Sequence, residues 1–215
     1  MSITITISFE LAFIVNLIVF WYSYLNNNKN PKFYKLYKSI FPYIWTTCLV
    51  GALILNSNFL WIIFPDNFSY FQNLWIWFLM LGVVFVIIGF KIISMVRKLF
   101  KVKVVNSDNS KLVTSGPYSL VRHPIYLAWI LIFTGWSMIL DSPLAILFIP
   151  FLIISLSVHS IYEEKHMLIP KYGEHYVRYI EKIPYRIFSP PYNYLAIIIA
   201  IIVLYIGLAN ILFPK

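Results

Sequence analysis

The feature that most constrains this chain is a recurrence of long, almost uncharged apolar runs. They fall at about 7–25, 40–64, 71–96, 124–140, 143–162 and 192–213. A bilayer core about 30 Å thick takes roughly 20 helical residues to cross, and each run is near that length. With 60% hydrophobic and only 12% charged residues, the chain is too apolar for an ordinary soluble domain. Apolar/polar alternation is confined to Ile3–Ser8, too short a stretch to begin a barrel. The expected fold is therefore all-α: a polytopic transmembrane helical protein of about six spans.

The net charge of +9 would suit nucleic acid if it were clustered on a soluble face, but it is distributed between the spans. Lys29, Lys32, Lys35 and Lys38 follow the first run. Arg97, Lys98, Lys101, Lys103 and Lys111 follow the third, and Lys165, Lys171, Arg178, Lys182 and Arg186 follow the fifth. The alternate connections carry Asp66 and Asp141. By the positive-inside rule the basic loops are cytoplasmic and face anionic membrane lipids, and nucleic acid is not an expected partner. This predicts a multi-pass integral membrane protein, of the cell membrane in a prokaryote or the endoplasmic reticulum in a eukaryote. Cys48 is the single cysteine, so neither an intrachain disulfide nor a thiolate metal site is expected. The first run lacks a preceding basic residue and a small-residue cleavage site, and reads as a retained helix.

No internal repeat is visible, and only Glu10 and Lys91, near the ends of their runs, encroach on the apolar spans, which argues against a transporter; a non-catalytic membrane protein stays as an alternative. Two polar segments are long enough to hold chemistry: Lys98–His123, with its turn at Asn106–Ser110, and Glu163–Tyr192, with an interfacial helix at Gly173–Lys182. Between them the runs 124–140 and 143–162 are joined by the short Asp141-Ser142-Pro143 turn, which predicts an antiparallel hairpin. Pro124 suits the first turn of a helix, and Pro150 is expected to kink the returning one. At about 1.5 Å per residue, Pro124 lies roughly 26 Å from the turn and Glu164 roughly 33 Å along the return. Arg122, His123, Glu163 and Glu164 should therefore meet at one membrane face, flanked by Tyr118 and Tyr126. A helix N-terminus and a guanidinium favour a carboxylate, and Glu carboxylates favour an ammonium or a ribose hydroxyl.

Five short motifs stand in order here: Leu112-Val113-Thr114-Ser115-Gly116-Pro117-Tyr118, Val121-Arg122-His123-Pro124-Ile125-Tyr126, Glu163-Glu164, Tyr172-Gly173-Glu174-His175-Tyr176 with Tyr179, and Ile183-Pro184. In order and spacing they resemble the isoprenylcysteine carboxyl methyltransferase and phospholipid methyltransferase family of membrane enzymes. The resemblance covers roughly 112–188. It implies an S-adenosylmethionine-dependent methyltransferase with a cytoplasm-facing cofactor pocket and a lipid-like acceptor, most simply a prenylcysteine-type carboxylate. It divides the chain into N-terminal transmembrane helices (1–97), a catalytic cassette (98–190) and a C-terminal transmembrane helix (191–215). Carried over by position, the cofactor contacts fall on Lys111, Leu112, Val113, Tyr118, His123, Pro124, Ile125, Tyr126 and Glu164. Arg122 and Glu163 are the candidate catalytic residues, the first to orient an acceptor carboxylate or alternatively the cofactor's own, the second, or else His123, to act as base toward an amine or thiol. Ser160 departs from the family's eukaryotic members, which place a substrate-contacting arginine there.

His159, His166 and His175 near the glutamates lack a zinc-type spacing, and no metal is expected. The rival reading is an NAD(P)H-dependent sterol-reductase-like enzyme, which shares an Arg-His-Pro-x-Tyr pattern. The Glu163-Glu164 pair followed by Tyr172-Gly173-Glu174 favours the methyltransferases.

Overall fold

The computed structural model describes residues 2–26, 29–55, 75–105, 112–140 and 142–190, together with 194, 197 and 198. The expected sixth span at 192–213, Lys111, Asp141, the Asn106–Ser110 turn and the end of the second apolar run lie outside these residues, apart from Tyr194, Ile197 and Ile198. Among the described residues every regular element is helical. The order is α1 (Ser2–Leu25), α2 (Pro31–Leu55), α3 (Trp75–Val105), a 3-10 turn (Gly116–Ser119), α4 (Pro124–Ile139), α5 (Pro143–Glu163), a π turn (Glu164–Leu168), α6 (Ile169–Tyr172) and α7 (Glu174–Lys182). One described segment, Ile76–Lys101, is long and apolar enough by length and composition to cross a membrane, and Ile14–Leu25 and Pro124–Ile139 are shorter apolar helices.

Several boundaries differ from the sequence expectation. Helix α1 begins at Ser2, so the alternating stretch Ile3–Ser8 is helical. Helix α2 begins at Pro31, ahead of the expected 40, and takes in Lys32, Lys35 and Lys38. Helix α3 continues to Val105 through Arg97, Lys98, Lys101 and Lys103, where the charge pattern predicts a loop. Lysine and arginine are good helix formers with stems that carry the charge away from an apolar surface, so a run of them ends a hydrophobic span without ending its helix.

The chain packs as two compact units, Met1–Met80 with Trp136–Phe148, and Leu81–Gly135 with Ile149–Lys215. In the first unit α1 and α2 form an antiparallel pair. Asn30 starts α2 in the manner of an N-cap, its side-chain oxygen accepting from the Phe33 N–H at 3.3 Å, and Pro31 takes the first helical position. Phe20 packs on Phe41 with ring centroids 4.4 Å apart, and Trp21, Tyr24 and Tyr34 extend the aromatic contact. Buried Asn16 accepts a short hydrogen bond from the Tyr37 hydroxyl, tying the pair through a polar contact.

In the second unit α3 and α4 approach closely through small residues. A Cβ on Gly135 would stand 2.5 Å from the Gly82 carbonyl oxygen, and one on Gly89 would stand 2.9 Å from the Ala128 carbonyl. Such stripes let apolar helices gain packing where lipid removes the hydrophobic drive. Along α5, Phe151, Ile154, Val158 and Ile161 are exposed at helical spacing, as are Val84, Ile87 and Phe90 on α3. Apolar surface of that extent calls for a nonaqueous neighbour. Helix α5 passes through Pro150 as one element.

Candidate active site

The polar corner of the second unit is built from the loop before α4 and the end of α5. Gly116, at φ 62°, opens the 3-10 turn in the left-handed region that glycine tolerates. The chain then reaches His123, whose carbonyl accepts from the Tyr126 and Leu127 amides and so starts α4, with Pro124 at the first helical position as expected. On α5 the last residue is Glu163, and the helix widens at once into the π turn, where the Ile169 amide bonds the Glu164 carbonyl. Such turns insert one extra residue and recur at functional sites. Neighbours on a helix diverge by about 100°, so the two adjacent carboxylates face different surroundings.

Glu164 turns inward. Its side chain is 4% exposed and receives Arg122 Nε at 2.8 Å and His123 Nε2 at 3.0 Å on Oε1. Its Oε2 receives Arg186 Nε at 3.0 Å and Arg122 Nη2 at 3.4 Å. Burial alone would raise its pKa, but the hydrogen bonds from His123 and Arg122 and their charges outweigh this and hold it at about 2. Arg122, itself buried, also donates from Nη1 to the Ile183 carbonyl at 2.7 Å. The segment after α7 is strapped to this corner by backbone bonds: the Arg122 amide to the Tyr185 carbonyl at 2.9 Å, and the His123 amide to the Arg186 carbonyl at 2.8 Å.

Glu163 turns the other way and keeps 27% of its side chain exposed. The Tyr126 hydroxyl donates to its Oε2 at 2.5 Å, and His123 Nδ1 faces the same oxygen at 3.4 Å. The imidazole thus bridges both carboxylates and stacks on Tyr126, with centroids 5.1 Å apart and planes 9° apart. Burial disfavours its charge, but the hydrogen bonds to Glu163 and Glu164 prevail and raise its pKa. Tyr118, half-buried, is pushed up to about 12 by burial and by the negative charge of Glu163.

A cavity of about 230 Å³ opens on this corner, lined by Leu112, Val113, Tyr118, Arg122, His123, Pro124, Ile125, Tyr126 and Glu163. Nine of the eleven sequence-predicted positions are therefore together on one wall. Glu164 is not among the described lining residues; it stands behind Arg122 and His123. Lys111 lies outside the described residues. The predicted site omitted Phe100, Leu168, Tyr172, Tyr176 and Tyr179, which complete the lining, and Arg186 and Ile183, which brace Glu164 and Arg122. The signal for two of the tyrosines was present in Tyr176 and Tyr179, three residues apart and so on one helical face. Arg186 had no periodicity to reveal it. Gly173, at φ 56°, separates α6 from α7 and permits the change of direction that brings Tyr176 and Tyr179 inward. The Tyr179 hydroxyl then donates to the Tyr118 carbonyl at 2.6 Å. Ser160 is fully buried, with its hydroxyl donating to the Ser157 carbonyl at 2.7 Å.

Residues 75–170 match the model of the isoprenylcysteine carboxyl methyltransferase family. The central segment of this chain is similar to that family. Protein-S-isoprenylcysteine O-methyltransferase of Xenopus laevis is 37% identical over 78 residues, covering 36% of this chain and 27% of that protein. Protein-S-isoprenylcysteine O-methyltransferase B of Arabidopsis thaliana is 28% identical over 83 residues, covering 39% of this chain and 42% of that protein. The chain thus matches less than half the length of either relative. No solved structure matches it. The family segment contains α3 to the start of α6, and with them Arg122, His123, Glu163 and Glu164.

Proposed function

We propose that this chain is a multi-pass membrane methyltransferase that uses S-adenosylmethionine to methylate the carboxylate of a prenylcysteine-type acceptor, with its cavity on the cytoplasmic side. The observation that carries this reading is the cavity itself, which gathers Leu112, Val113, Tyr118 and the His123–Tyr126 corner beside a half-buried Glu163 in a segment of isoprenylcysteine methyltransferase type. Both named relatives are isoprenylcysteine O-methyltransferases.

The donor set fits the cofactor. Aromatic rings of Tyr118, Tyr172 and Phe100 suit a flat base, the Glu163 carboxylate suits a cationic group, and the Leu112–Val113 backbone supplies main-chain polar groups. We assign binding to Leu112, Val113, Tyr118, His123, Pro124, Ile125 and Tyr126, with Lys111 as the adjoining position. When bound, S-adenosylmethionine supplies a methyl group on a sulfonium, ready for in-line displacement.

The work left to the chain is positioning and exclusion of water. An acceptor carboxylate is ionised at neutral pH and needs no base. Arg122 has five N–H donors, of which three are committed to Glu164 and Ile183, so two remain for an anionic group at the wall. Glu163 is held in place by Tyr126 and His123, which preserves a fixed negative charge on the cavity side. The strap at Ile183–Arg186 fixes the backbone of the corner.

The test is a labelled-methyl assay on the purified full chain with an N-acetylated S-farnesylcysteine and, separately, phosphatidylethanolamine. Base-labile label on the prenylcysteine is expected. Label confined to the lipid amine, or no transfer to either, would overturn the proposed acceptor.

A further inference from the structure

We propose that the Tyr176 hydroxyl is a ligand-binding donor, directed to a carboxylate group held in the cavity. Tyr176 forms part of the cavity wall and is 1% exposed, yet its hydroxyl has no hydrogen-bond partner among the described residues. A buried hydroxyl without a partner is costly, and buried side-chain polar atoms in native proteins mostly have one. The ring has little freedom to relieve this. It sits on α7 one helical turn from Tyr179, the two rings meeting edge to face at 5.7 Å, and Tyr179 is itself tied to the Tyr118 carbonyl.

Glu164, whose charge acts on this phenol, does not supply the missing acceptor. A carboxylate offers about four acceptor positions, and on Glu164 two donors already reach each oxygen, Arg122 and His123 on one, Arg122 and Arg186 on the other. The phenol remains a donor, because burial and the charge of Glu164 push its ionisation far above the ordinary range. Arg122, whose charge acts on the same phenol, contributes the two uncommitted N–H groups of the wall. Donors from two side chains that line one cavity suit an anion, and a carboxylate matches the planar guanidinium. Two sources share that chemistry: the amino-acid end of S-adenosylmethionine and the acceptor. This inference rests on the methyltransferase reading for the choice of probes.

The experiment compares wild type with Tyr176→Phe, full chain in detergent, by melting and by affinity. The probes are S-adenosylhomocysteine with its decarboxylated analogue, and N-acetyl-S-farnesylcysteine with its amide. The variant is expected to melt at or above wild type. It should bind one carboxylate-bearing probe about tenfold more weakly, the effect of one hydrogen bond to a charged group, and the matching carboxylate-free probe as wild type does. Which pair responds names the source. Unchanged affinities, an equal fall for both members of a pair, or a variant that melts well below wild type would overturn the inference and leave the proposed function standing. A wild type that binds none of the probes would remove both.

Discussion

Glu163 and Glu164 are neighbours in sequence and opposites in surroundings. One side of the corner is a closed clamp in which Glu164 takes bonds from Arg122, His123 and Arg186. The other is an open wall where Glu163 stays partly exposed and is steadied by Tyr126 and His123. Identical side chains, separated by about 100° of helix and the start of a π turn, are given to a buried clamp on one side and to the cavity wall on the other. His123 belongs to both, since its ring reaches each carboxylate. Glu164, the cofactor contact expected from the sequence, also holds Arg122 and His123 in place from behind the wall.

The largest effect should follow from opening the clamp. Glu164→Ala strands a buried guanidinium, and losing one partner of a buried ion pair costs about 3–5 kcal/mol; thermal unfolding of the purified chain reads it. A variant as stable as wild type would break the contrast. On the open side, Glu163→Gln should lower stability by about 1 kcal/mol, well short of the Glu164 loss, because the amide can still accept from Tyr126, while weakening S-adenosylhomocysteine by about tenfold, the scale of one charge-assisted contact. Equal affinity for both proteins would deny Glu163 its place on the binding wall.

The smallest effect is a pH dependence carried by the shared histidine. Its pKa is raised above 6.5 in the fold by Glu163 and Glu164. Its contribution to stability is therefore fully present below pH 6.5 and is lost as pH rises through the folded value. His123→Asn should flatten the decline in melting temperature on the alkaline side of 6.5; an unchanged slope would assign the decline elsewhere. Glu164, at about 2 in the fold against 4.5 in an ordinary glutamate, has the opposite sign. Its contribution is present above pH 4.5 and fades only as pH falls toward 2.

Much of the corner was legible because helix arithmetic is rigid. A proline at a helix start, a three-residue turn and 1.5 Å per residue bring Arg122 and His123 to the level of Glu163 and Glu164, some forty residues onward. What stayed hidden has no period. The Ile183–Arg186 strap acts through backbone carbonyls that any sequence offers, and the π turn that ends α5 leaves no pattern in Glu164–Leu168. The helical run from Arg97 to Val105 was missed because charge marks the edge of an apolar span, not the end of its hydrogen-bonding ladder. The Gly82–Gly135 approach depends on which glycines face each other, and composition alone does not tell that.

The most direct test of the central claim is the melting temperature of the full chain in detergent with S-adenosylhomocysteine and, separately, with NADPH. Ligand at about 100 times its Kd stabilises by about 2.7 kcal/mol, a shift easily seen. The proposed site predicts that rise with S-adenosylhomocysteine and none with NADPH; stabilisation by NADPH alone would contradict it.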